Sequence, residues 1–126
     1  TSLMCCRASC RVKCTDGVYS IQNNTGFVIS PSNGAYVVKI NTGIITLHIG
    51  VATGLTSTNF FTSMSGSFFP DSNPWNTLNP CCFEKDAFYN SGSLHSYTIK
   101  INIARGNSTE RVDFSNSGFL DVMVFW

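Results

Sequence analysis

Six cysteines, at positions 5, 6, 10, 14, 81 and 82, are the residues of this chain most able to do chemistry. Three outcomes suit them. As disulfides they allow fifteen pairings. Bridges from the N-terminal group to Cys81 and Cys82 would close loops of about seventy residues, each adding ~4 kcal/mol in the chain-entropy picture. Bridges would also place the protein in an oxidising, extracellular setting. As a metal site, Cys6, Cys10 and Cys14 offer a C-x₃-C-x₃-C run. Adjacent Cys81 and Cys82 are a poor second half for a tetrahedral ion, however, so no metal is expected. Thiols are the third outcome.

Catalytic constellations are missing from the sequence. His48 and His95 are the two imidazoles, and each falls on or beside a strand face turned to water. No G-x-S-x-G elbow accompanies them. Asp71, Glu84 and Asp86 lack the regular spacing of a calcium loop. No glycine-rich phosphate loop follows a strand, so no nucleotide cofactor is expected. A net charge of +1, without basic patches interleaved with aromatics, excludes an electrostatic case for nucleic acid. No apolar run nears the ~18 residues that span a bilayer as a helix, and membrane insertion is not expected.

Binding is the chemistry that remains. The stretch 65–93 carries Pro70, Pro74 and Pro80, the paired cysteines, and Phe68, Phe69, Trp75, Phe83, Phe88 and Tyr89. It reads as a long irregular loop, and such loops are often functional. Within it, Trp75 and Tyr89 are candidate stacking or anchoring rings, with Asp71, Asn73 and Asn76 as polar contacts. The competing reading is that the rings plug one end of the fold.

The elements that must position these residues are strands. Charged residues make up 12% of the chain, about half the usual ~25%. Ser, Thr, Asn and Gly replace them, and these are poor helix formers. In residues 44–51, Ile45, Leu47, Ile49 and Val51 alternate with Thr46, His48 and Gly50. In residues 97–104, Tyr97, Ile99, Ile101 and Ile103 alternate with Thr98, Lys100 and Asn102. Both are half-buried antiparallel strands. Shorter strands are expected at 18–21, 26–30, 35–40, 59–64 and 109–114, with Gly- and Asn-bearing turns between them. The whole predicts an all-β, jelly-roll-like antiparallel β-sandwich of about seven to nine short strands. Residues 1–17 read as a Cys-rich irregular leader, and 18–126 as one head domain. The chain opens on Thr, which suits a mature product or a piece of a longer protein.

The last strand, 119–126, differs from the others. Leu120, Val122, Val124 and Trp126 share one face; Phe119, Met123 and Phe125 share the other, broken only by Asp121. A strand apolar on both faces needs cover on both. That marks Phe119, Met123 and Phe125 as candidates for an interface between copies of the chain.

From about residue 35 onward the chain runs Asn41-Thr-Gly-Ile-Ile-Thr-Leu-His-Ile, a Thr/Ser-rich connection, Phe69-Pro70, Tyr97-Thr-Ile-Lys-Ile, and the closing Gly118-Phe-Leu-Asp-Val-Met-Val-Phe-Trp. This pattern resembles the head domains that end phage tail fibres and baseplate receptor-binding proteins. Adenovirus fibre heads are architecturally similar. The resemblance implies a non-enzymatic viral attachment module on the virion surface, homotrimeric, that binds a host-surface receptor, glycan or protein. Such heads share an architecture rather than a fixed site, so it assigns no residue a role. Two alternatives are a secreted, disulfide-stabilised lectin or adhesion domain, and a trimeric signalling jelly roll like the tumour-necrosis-factor family.

Overall fold

The structure is a computed structural model that describes residues 4–25, 36–50, 57–67, 78–90, 93–106, 109–114 and 118–126. Eight strands follow in order: β1 (Cys6–Thr15), β2 (Val18–Thr25), β3 (Tyr36–Asn41), β4 (Ile44–Gly50), β5 (Phe61–Ser67), β6 (Leu78–Asn90), β7 (Ser93–Arg105) and β8 (Phe119–Phe125). They form two four-stranded antiparallel sheets, β2-β1-β8-β5 and β3-β4-β7-β6. Edge β2 leans on β3 and edge β5 on β6, so the sheets stack as a sandwich. Sequential hairpins β1–β2, β3–β4 and β6–β7 are joined by the longer-range pairs β1–β8, β4–β7 and β5–β8, an order that differs from the jelly-roll pairing expected from sequence.

Alternation fills the core. The first sheet contributes Ala8, Cys10, Val12, Cys14, Leu120, Val122 and Val124; the second contributes Ile45, Leu47, Ile49, Tyr97, Ile99, Ile101 and Ile103. All fourteen are buried, and burying each large aliphatic side chain is worth ~1.5–3 kcal/mol. Phe60 closes one end against Tyr97, ring edge to ring face at 5.7 Å. Tyr19 and Phe114 meet in the same manner at 5.6 Å at the other end.

That second end is tied by one carboxylate. Asp113 accepts hydrogen bonds from the Tyr19 hydroxyl of β2 at 2.6 Å, the Lys39 ammonium of β3 at 2.5 Å and the Gly43 amide of the β3–β4 turn at 3.0 Å. Burial alone would push the carboxyl up, but these donors together hold it below the ordinary aspartate value. Gly43 also carries a backbone constraint. Its φ is +68°, and a Cβ there would lie 2.7 Å from the Val112 amide nitrogen and 2.8 Å from the Ile103 carbonyl oxygen.

Three expectations need correction. The Cys-rich N-terminus is present, but its form is not irregular: Cys6–Thr15 is a strand paired on both sides. It turns into β2 through Asp16 (φ 51°) and Gly17 (φ 78°), the positive-φ pair of a tight hairpin. The stretch 65–93 is not one long loop. β5 runs to Ser67, and Leu78–Asn90 forms a 13-residue strand hairpinned to the 13-residue β7, so the strands are not uniformly short. Finally, residues 109–114 make no strand; their backbone forms one isolated β-bridge to the sheet, Ala104 to Arg111, and their side chains supply the Asp113 and Phe114 contacts described above. The strand expected at 26–30 lies outside the described residues.

Candidate functional site

The two outer faces differ in character. On the second sheet, Lys100 pairs with Glu84 at 3.0 Å, and Arg111 donates to Asn102 at 2.9 Å. Half-buried His48 lies on the same face, and burial lowers its pKa. The edge strands of this sheet also expose Val38, Ile40 and Phe83, which are scattered among its polar groups.

The outer face of the first sheet is mixed. From β8 it presents Phe119, Asp121, Met123 and Phe125, all half-buried. Register places Ser9 beside Met123 and Arg11 beside Asp121 on the β1 side. On the β5 side Phe61 lies opposite Phe125, Ser63 opposite Met123 and Ser65 opposite Asp121. Arg11 dominates the middle. Its Nε and Nη2 donate to the two Asp121 oxygens at 2.8 and 3.0 Å, and its guanidinium lies 4.1 Å above the Phe119 ring. The apolar row expected on β8 is therefore divided. Phe119 is covered by Arg11 within the chain, whereas Met123 and Phe125 continue towards Phe61, which is 60% exposed.

Beside the Arg11–Asp121 pair the sheet surface dips into a depression of about 290 Å³. Ser9, Arg11, Asn23, Ser65, Asp121 and Met123 line it. Local backbone chemistry shapes the rim. Between the pairs Ser9–Thr25 and Arg11–Gln22, β1 has one residue and β2 has two, so β2 bulges at Asn23-Asn24. Asn23 takes φ 51° there, a conformation that asparagine tolerates better than most residues. No sequence motif announced this site.

The cysteines stand apart from it chemically. All six are thiols, and no disulfide joins them. The expected bridges from β1 to Cys81 or Cys82 conflict with the strand order. β1 is second from the edge of its sheet, while β6 is the far edge of the other. With strands ~4.8 Å apart and sheets ~10 Å apart, that separation exceeds the ~7 Å limit for bridged Cα atoms. Burial, helped by the Asp121 charge, pushes the Cys10 thiol up to about 12. Burial, helped by Asp113, raises Cys14 as well. Both are protonated packing residues and poor nucleophiles at neutral pH. Cys81 and Cys82 sit on edge strand β6 rather than in a loop. Among the described residues no three His, Cys, Asp or Glu side chains gather as a metal group.

Of the binding residues expected from sequence, Asp71, Asn73, Trp75 and Asn76 lie outside the described residues. Tyr89 is on β6, where its backbone pairs with Leu94. No family model, no curated protein and no solved structure matches this chain.

Proposed function

We propose that this protein is a non-enzymatic attachment head: a β-sandwich that associates with copies of itself, as a homotrimer, and binds a host-surface receptor. The observation that carries this reading is the apolar end of the first sheet's outer face, where Phe125 lies opposite exposed Phe61. A sheet face with large aromatic surface in water is a common interface signature. The trimer, the virion-surface location and the receptor follow the resemblance to viral fibre heads. The segment 69–89 remains the proposed receptor contact, with Trp75 as its first residue to replace. The secreted, disulfide-stabilised lectin is the weaker reading, because the six cysteines are thiols.

Replacing both Phe61 and Phe125 by Ser tests the self-association. The variant should keep its far-UV circular dichroism and sediment as a monomer. A variant that folds and keeps the oligomer of the unaltered chain would move the interface elsewhere.

A further inference from the structure

We infer that the depression beside the Arg11–Asp121 pair is a binding site for a neutral hexopyranose, the terminal ring of a receptor glycan. The inference deepens the attachment reading and rests on it for the receptor, though binding of a free sugar does not require self-association. Volume comes first. About 290 Å³ is just below the ~300–1,000 Å³ typical of small-molecule sites, so the depression suits one ring rather than an extended ligand.

The polar groups then select the ligand class. Arg11 and Asp121 are joined through two hydrogen bonds, and their side chains stay 38% and 33% exposed. The pair is neutral as a unit. An anion or cation entering here would have to compete with a partner already in place. A hydroxyl can donate to the carboxylate or accept from the guanidinium without breaking the pair, and two vicinal hydroxyls can do both at once. Ser9, Asn23 and Ser65 add hydroxyl and carboxamide groups from three different strands, with both donors and acceptors among them. Met123 supplies a polarisable apolar surface suited to the C–H face of a pyranose.

The backbone points to the same place. The β2 bulge and the positive φ of Asn23 both fall at this rim. Bulges recur next to binding sites because they re-aim a side chain. Here the extra residue brings Asn23 onto the rim. Among the described residues no aromatic ring lines the depression, and Phe119 is covered by Arg11, so a single site is expected to bind weakly. Several copies on one particle would raise the apparent affinity.

The methionine ε-methyl groups provide the readout. Met123 lines the site, while Met64, packed against the core from β5, is an internal control. Glucose, galactose, mannose and N-acetylglucosamine are titrated separately, with sialic acid as the anionic comparison. At least one neutral hexose should shift the Met123 methyl saturably while Met64 stays fixed. Asn23→Gly, which keeps the backbone free to adopt positive φ, and Ser65→Ala should each weaken that binding about five-fold without changing the melting temperature. The inference is overturned if no neutral hexose shifts Met123, if sialic acid binds more tightly, or if both variants bind as well as the original chain. A monomer whose Met123 responds would remove the self-association and leave this site standing. An oligomer whose Met123 is silent would do the reverse.

Discussion

At the scale of residues, the most consequential side chain outside the binding face is Asp113. It joins β2, β3 and the β3–β4 turn through one carboxylate. Its pKa in the folded protein is below the ordinary value of 3.8. Its contribution to stability is therefore full above that value and is lost as pH falls through the lower, folded one. Asp113→Asn should cost ~1–3 kcal/mol at neutral pH, because donors are left poorly matched. It should also flatten the acid limb of the stability curve, measured by urea unfolding at successive pH values. The cysteines make a second prediction. Under native conditions iodoacetamide should label exposed Cys5, Cys6 and Cys81 while sparing buried Cys10 and Cys14. In denaturant without reductant, all six should label. Protection of any cysteine in that unfolded sample would reveal a disulfide.

At the scale of elements, legibility followed how closely each strand obeys a period of two. β4 and β7 were plain because Ile, Leu and Tyr alternate with Thr, His, Lys and Asn along them. β8 was plain on both faces, and the structure adds that Arg11 covers one of its three outer apolar side chains. β1 was missed although it alternates equally well. Ala8, Cys10, Val12 and Cys14 point inward, with Ser9, Arg11 and Lys13 outward. Reading cysteine as a bridge former hid its other nature, a small buried hydrophobe. β6 was missed for a different reason. Pro80 and two register shifts, at Cys82/Glu84 and Phe88/Tyr89, break its pattern, and an edge strand tolerates both. The candidate site was illegible because its residues come from β1, β2, β5 and β8 and are two serines, an asparagine, a methionine and one ion pair, none of which forms a motif. Only the sheet order brings them together. The β3–β4 turn supplies a test at this scale. Gly43→Ala combines positive φ with contacts under 3 Å to two backbone atoms, and should destabilise by ~2 kcal/mol or more in chemical denaturation.

At the scale of the whole molecule, the two sheets account for the core but leave their outer faces unequal. The second sheet carries one ion pair and solvated polar groups, with exposed Val38, Ile40 and Phe83 scattered on its two edge strands. The first sheet's face carries an ion pair, a depression, and an aromatic end that water covers poorly. Self-association through that end would bury Phe61 and Phe125 and leave the depression near the rim of the interface, one residue pair further along β8. The all-β sandwich itself was legible in the sequence, because low charge and alternating strands leave few other folds; its strand order was not. The proposed assembly has one root in the sequence, the need for cover on β8.

Sedimentation equilibrium of the unaltered chain at micromolar concentration tests that assembly most directly. A species of three times the 13.8 kDa chain mass is the predicted result. A single monomeric species across the concentration range would contradict it.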